Sequence, residues 1–195
     1  MTPTRRAVFL DRDGVLVEEL GLLLRTEDIR ILPGVAGALA RLKGAGFVLP
    51  VVSNQAGVAR GLMDEAAVRA IQAEIERRLV QAGAPPLDGF FYCPHHPAAN
   101  LVAYRVDCAC RKPRPGLLQA AAQALGLDPA RSFMVGDRPS DLVAGQRAGC
   151  RTVWVQTGAH LEPLIESSDY PAEPPRPDFV CAGLAEAAAW IEAQP

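Results

Sequence analysis

Short apolar runs alternate with amphipathic segments along this chain of 195 residues. Each apolar run predicts a buried strand, and the segments between them place apolar residues three or four apart, which is typical of helices. This alternation favours an α/β fold, a Rossmann-like parallel sheet with helices on both faces. The predicted strands are 7–10, 47–52, 90–92, 133–135, 152–155 and 179–181, and the predicted helices are 33–44, 64–82, 117–125, 142–148 and 184–191.

The composition is that of one globular unit. Lys and Arg total 20 against 22 Asp and Glu, a net charge of −2, and 49% of the residues are hydrophobic. We therefore expect a single domain over residues 1–195. The near-neutral charge gives no electrostatic reason to expect nucleic-acid binding, and no apolar stretch approaches the roughly 18 residues of a membrane span. We expect a cytoplasmic monomer without nucleic-acid or membrane partners.

Polar side chains follow three of the predicted strands. Because the carboxyl ends of parallel strands meet at one edge of a sheet, we expect these clusters to share a crevice. Carboxylates two residues apart suit a hard cation such as Mg²⁺, which prefers oxygen ligands and commonly bridges to substrate phosphate. The clusters are Asp11 with Asp13, Ser53 with Asn54 and Gln55, and Asp137 with Asp141.

Four ordered segments resemble the motifs of the haloacid dehalogenase superfamily of phosphohydrolases. The resemblance extends to about Gly158 and implies a phosphatase that forms an aspartyl-phosphate. The segments are FLDRDG at 9–14, SNQ at 53–55, RKP at 111–113 and GDRPSD at 136–141.

The resemblance also implies roles for the residues in these motifs. Asp11 would be the nucleophile, and Asp13 the general acid and base. Mg²⁺ would be held by Asp11, Asp137 and the main-chain carbonyl of Asp13. The implied substrate-binding residues are Ser53, Asn54, Gln55, Arg111 and Lys112, with Asp141 and Arg138 in support; Asp141 would orient either Lys112 or a metal-bound water.

Two pairs of metal-ligand residues precede the third motif. Three thiolates and an imidazole suffice for a closed, tetrahedral structural zinc site, and we predict a zinc loop over about residues 93–110. His96 is an alternative ligand, and reduced free cysteines are the other interpretation. The predicted zinc ligands are Cys93, His95, Cys108 and Cys110.

The zinc loop resembles that of the branch containing the heptose-bisphosphate and histidinol-phosphate phosphatases. The spacing between His95 and Cys108 is similar to the long loop of the heptose enzymes, and the basic residues around Arg111 suit a substrate with more than one phosphate. The resemblance therefore implies removal of the 7-phosphate of heptose 1,7-bisphosphate, in the route to nucleotide-activated heptose for lipopolysaccharide. Histidinol phosphate or another small phosphomonoester is the alternative substrate.

Two features lie outside this resemblance. Residues 167–177 form an added Pro-rich segment to which the sequence assigns no role. A zinc-stapled binding protein on a catalytically silent fold is the competing class of function, and the intact acidic motifs argue against it.

Overall fold

A parallel sheet organises the protein. The computed structural model describes residues 5–158, 169–171, 173 and 175–195. Among these residues six strands pair in the order β3-β2-β1-β4-β5-β6, and all neighbours are parallel. The strands are β1 (Val8–Leu10), β2 (Val51–Asn54), β3 (Phe90–Cys93), β4 (Phe133–Gly136), β5 (Arg151–Val155) and β6 (Phe179–Cys181).

Helices cover both faces of the sheet. Side chains of successive strand residues point to opposite faces, so Val8 and Leu10 pack in one core and Phe9 packs in a second core on the other face. The predicted fold class is confirmed. The helices are α1 (Val35–Gly44), α2 (Ala56–Ala59), α3 (Glu65–Gln81), α4 (Gly116–Leu125), α5 (Pro139–Ala148) and α6 (Leu184–Glu192), with 3₁₀ turns at Thr26–Asp28, Val102–Tyr104 and Pro129–Arg131. None of the described helices has the length and apolarity to span a membrane.

The second strand differs from the prediction of 47–52. The Phe47 amide still donates to the Leu42 carbonyl at the end of α1, at 3.1 Å, and Pro50 has no N–H to donate to the ladder. Regular pairing with β3 therefore begins at Val51 and continues through Asn54. The shift places the polar cluster after β2 partly on the strand itself.

Helix α5 begins three residues earlier than its apolar pattern indicates. Pro139 occupies the first turn, where its fixed φ and missing N–H are compatible with a helix. The Asp141 carboxylate accepts from the Arg138 amide at 3.0 Å and caps the same turn. The earlier start brings Asp141 into the first turn, directly above the end of β4.

The strand order reverses between β1 and β4. The chain continues from β1 outward to β2 and β3, and from β4 outward to β5 and β6 on the other side. Such a switch point leaves a crevice at the carboxyl ends of the two central strands. The loops after β1, β2 and β4 all reach this crevice.

Candidate active site

Three buried carboxylates meet at the switch point. Asp11 follows β1, Asp137 follows β4, and Asp141 lies in the first turn of α5. One oxygen from each lies within 4.8 Å of the others. All three side chains are buried, and burying several anions together is costly without a compensating cation.

Lys112 supplies one of the required positive charges. Its buried Nζ lies 2.9 Å from Asp11 Oδ1 and 2.5 Å from Asp141 Oδ1, and it donates to the Val52 carbonyl at 2.8 Å. Burial opposes the charge of Lys112, but the two carboxylates outweigh it and raise the pKa of the ammonium group. Burial raises the pKa of Asp11 to about 7; Lys112 opposes this rise, whereas Asp141 and Asp13 add to it.

The acidic cluster fits a magnesium ion. A single lysine cannot balance three carboxylates, and all the donor atoms are oxygens, the ligands that Mg²⁺ prefers. The backbone also crowds against Asp137: a Cβ built on Gly14 would lie 2.3 Å from Asp137 Oδ2, and Gly14 has a φ of +79°. Glycine at this position therefore allows the first motif to approach Asp137 closely.

Asp13 is held by two neighbouring side chains. Arg12, itself buried, pairs with Asp13 Oδ2 through Nη2 at 2.9 Å and donates to Gln55 Oε1 at 3.0 Å. Gln55 Nε2 in turn donates to Asp13 Oδ2 at 3.1 Å and to Ser53 Oγ at 2.9 Å. This network fixes the carboxylate predicted to act as general acid and base beside the predicted nucleophile.

Asn54 connects β2 to the loop that carries Lys112. Its Nδ2 donates to the Lys112 carbonyl, and its Oδ1 accepts from the Lys112 amide, both at 3.0 Å. The contact of Asn54 with substrate stays a prediction. The structure shows in addition that Asn54 positions the main chain of Lys112, which the sequence pattern does not indicate.

The four predicted zinc ligands converge. Cys108 Sγ lies 3.5 Å from Cys93 Sγ and 3.2 Å from Cys110 Sγ. His95 Nδ1 lies 3.8 Å from Cys93 Sγ and 3.6 Å from Cys110 Sγ. These spacings approach the edge of about 3.8 Å expected for a tetrahedron with Zn–S bonds of about 2.3 Å. The cluster therefore fits a zinc ion.

His96 has a different environment from His95. Its Nδ1 accepts from the Ala98 amide at 3.1 Å, and the residue lines the pocket above the carboxylates instead of joining the sulfur cluster. The structure thus favours His95 over His96 as the imidazole ligand. Glu65 of α3 contacts both β3 and the zinc loop, since it accepts hydrogen bonds from Tyr92 of the strand at 2.6 Å and from Tyr104 of the loop at 3.0 Å.

A pocket of about 450 Å³ opens above the carboxylates. Asp137 is buried beside the pocket, with a carboxylate oxygen within 4.8 Å of oxygens of Asp11 and Asp141. The pocket wall also includes three residues to which the sequence assigned no role: Arg60, which follows the second motif, and Glu19 and Tyr170, which lie outside the motifs. The predicted residues that line the pocket are Asp11, Asp13, Ser53, Asn54, Gln55, Arg111, Lys112, Arg138 and Asp141.

Comparison with known proteins agrees with this geometry. The HAD-hydrolase-like family model matches residues 109–187. The chain is 40% identical over 190 residues to the D-glycero-D-manno-heptose-1,7-bisphosphate 7-phosphatase of Thermosynechococcus vestitus, covering 96% of this chain and 95% of that protein. It is 39% identical over 163 residues to the D-glycero-beta-D-manno-heptose-1,7-bisphosphate 7-phosphatase of Escherichia coli K12, covering 83% and 85%.

A solved structure shows the same likeness. The D,D-heptose 1,7-bisphosphate phosphatase from B. bronchiseptica, complexed with magnesium and phosphate, is 35% identical and has a TM-score of 0.80 over 95% of this chain and 97% of that chain. The chain belongs to the haloacid dehalogenase-like family of hydrolases, as its motifs predict. Within that family it is a phosphatase, and its relatives described above are heptose-bisphosphate phosphatases.

Proposed function

We propose that the protein removes the 7-phosphate of D-glycero-D-manno-heptose 1,7-bisphosphate through an aspartyl-phosphate intermediate. The observation that carries the proposal is the pairing of two cationic regions in one pocket. Lys112 lies against Asp11 at the base, and Arg60 and Arg111 line the wall. This arrangement suits a compact substrate with two phosphates, as the names of the relatives indicate.

The first chemical step uses Asp11 and Asp13. The Asp11 carboxylate attacks phosphorus, and the bond between phosphorus and the sugar oxygen breaks. Asp13 transfers its proton to the departing oxygen, so the sugar leaves as an alcohol. In the second step Asp13 takes a proton from the water that attacks the acyl phosphate, which releases inorganic phosphate and restores Asp11.

Positive charge and hydrogen-bond donors stabilise the transferring phosphoryl group. Lys112 and the Ser53 hydroxyl bind its oxygens, and Asp141 fixes Lys112 through the 2.5 Å ion pair. Asp11, Asp137 and the main-chain carbonyl of Asp13 would hold Mg²⁺, which reduces repulsion between the carboxylate and phosphate and stabilises the equatorial oxygens. The magnesium of the B. bronchiseptica neighbour supports this assignment.

The zinc loop has a structural role in this proposal. Cys93, His95, Cys108 and Cys110 would form a closed Zn²⁺ site, which leaves no position for catalysis. Arg111 directly follows the last ligand and donates to the His95 carbonyl at 3.1 Å, so metal binding also fixes the guanidinium group proposed to meet the second phosphate.

The proposal also covers the domain organisation, location and partners of the chain. Residues 1–195 form a single catalytic domain with the zinc loop at about 93–110. It acts as a cytoplasmic monomer on a small sugar phosphate, without a nucleic-acid or membrane partner, in the synthesis of nucleotide-activated heptose for lipopolysaccharide.

Substrate competition tests the proposal directly. Phosphate release with Mg²⁺ is measured for both anomers of heptose 1,7-bisphosphate and for histidinol phosphate, and kcat/KM is compared. We expect one heptose anomer to exceed histidinol phosphate by at least about 100-fold, or about 2.7 kcal/mol in transition-state binding. Equal or lower activity on both heptose anomers would refute the substrate assignment while leaving the phosphatase class intact.

A further inference from the structure

Asp169 and Tyr170, which lie between β5 and β6 in the sequence, line the active-site pocket. Asp169 Oδ1 accepts from Arg114 Nε at 3.2 Å and lies 3.1 Å from Arg114 Nη2. Arg114 also donates to the Cys108 carbonyl at 3.0 Å, so the same guanidinium group joins Asp169 to the zinc loop. These contacts hold residues 169–171 beside the pocket, although the motifs place no functional group there.

Tyr170 follows this anchor and lines the pocket. Ser140, a buried residue in the first turn of α5, lines the same pocket. Arg111, Arg138 and Asp141 line this pocket together with Tyr170. Tyr170 therefore lies beside both the guanidinium group proposed for the second phosphate and the turn that orients Lys112.

The chemistry of a tyrosine suits this location. A tyrosine phenol is protonated at neutral pH and therefore offers a hydrogen-bond donor, and burial raises the pKa of Tyr170 further. Its ring provides a rigid apolar wall, and its hydroxyl is a polar group at the tip of that wall. A side chain of this kind can accept a hydroxylated, phosphorylated ligand while restricting the space for a bulky one.

We propose that Tyr170 is a specificity-determining residue of the phosphatase. Its ring closes the pocket wall beside Arg111, and its hydroxyl hydrogen-bonds to an oxygen of a compact, polyhydroxylated sugar phosphate. The pocket therefore favours such esters over bulky aryl phosphates. The choice of a sugar phosphate as ligand rests on the proposed function, whereas the steric role of the ring does not.

Two variants separate the hydroxyl from the ring. We measure kcat and KM for heptose 1,7-bisphosphate and for p-nitrophenyl phosphate, using the full chain with its metals. Tyr170→Phe loses one hydrogen bond, so KM for the sugar phosphate rises about fivefold while kcat changes less than about twofold. Tyr170→Ala also opens the wall, so the ratio of kcat/KM between the sugar and aryl substrates falls about 10-fold or more, with kcat/KM for the aryl phosphate increased.

Glu173→Ala is the matched control, because Glu173 is exposed between β5 and β6 in the sequence and lies outside the pocket. It should leave both substrates unaffected. The proposal is overturned if Tyr170→Ala, with a wild-type melting temperature, keeps the substrate ratio within about twofold of wild type. If Tyr170→Ala does not fold, an unchanged KM in Tyr170→Phe overturns it instead.

The wild-type enzyme tests the proposed function separately. If it shows no preference for heptose 1,7-bisphosphate over p-nitrophenyl phosphate, the sugar assignment fails. The aryl phosphate then decides the role of Tyr170: increased kcat/KM in Tyr170→Ala supports a closing wall, and an unchanged value overturns it.

Discussion

The side-chain amide of Asn54 is hydrogen-bonded to both main-chain groups of Lys112, with each donor and acceptor 3.0 Å apart. This contact joins the end of β2 to a loop 58 residues further along the chain. The Lys112 ammonium group then extends to the carboxylates of Asp11 and Asp141. Lys112, the cation proposed to bind phosphate, is thus positioned by the end of a strand, although it lies on a loop.

Asn54→Ala should therefore lower activity by displacing Lys112. Because small displacements of a catalytic group are costly, we expect kcat/KM for Mg²⁺-dependent phosphate release to fall about 10- to 100-fold. Gln146→Ala is the control, since that exposed amide donates only to the Arg176 carbonyl in the described part of the chain. Equal activities of the two variants would contradict the positioning role.

Gly14→Ala tests the close approach between the first motif and Asp137. The new methyl carbon would lie 2.3 Å from Asp137 Oδ2, in addition to the strain of a φ of +79°. We expect loss of Mg²⁺-dependent activity and a lower melting temperature. Gly46→Ala has a similar φ of +84° but no atom within 4 Å of the added carbon, so it measures the backbone strain alone. Equal losses in both variants would exclude a specific clash.

The buried carboxylate of Asp11 makes stability depend on pH. Burial raises its folded-state pKa from 3.8 to about 7, so the folded protein binds a proton that the unfolded chain releases between these values. Stability from this group is present at low pH and is lost as the pH rises through 7. Without added Mg²⁺, Asp11→Asn should be more stable than wild type at pH 8, by a margin that shrinks towards pH 5.

Thermal melting at both pH values checks this sign. If the stability difference between Asp11→Asn and wild type is larger at pH 5 than at pH 8, burial does not destabilise the Asp11 carboxylate. The same variant should release no phosphate and should bind zinc as wild type does, because it loses the proposed nucleophile but leaves the four proposed zinc ligands intact.

The sheet was predictable because its strands are short apolar runs, whereas the strand limits depend on tertiary contacts. Val51 begins β2 because Phe47 still bonds to helix α1 and Pro50 lacks an N–H. The short helix α2, Ala56–Ala59, has only four residues and therefore no period to detect. Local sequence thus predicts the type of element better than its boundaries.

Some residues of the candidate site were predictable from the sequence, and others are evident only from tertiary contacts. Asp11, Lys112 and the zinc ligands stand in dense motifs, so residue type and spacing indicate them. Asn54 has a positioning contact that its motif does not reveal, since the partner is main chain. Tyr170 lies in a Pro-rich segment with no motif, and only the folded chain places it beside Arg111 and Ser140.

Loss of one thiolate should empty the proposed zinc site. Cys108 lies within 3.5 Å of the sulfur atoms of Cys93 and Cys110, so Cys108→Ser should leave an incomplete site and reduce bound zinc well below about one ion per chain. The loop then loses the metal that supplies its folding energy, and Arg111 is no longer fixed. We expect a lower melting temperature and a higher KM for the bisphosphate.

Metal analysis measures the bound zinc, thermal melting measures the stability, and phosphate release measures KM. Cys150→Ala, which removes a buried thiol outside the cluster, is the control. A Cys108→Ser protein with full zinc and unchanged KM would refute the assignment.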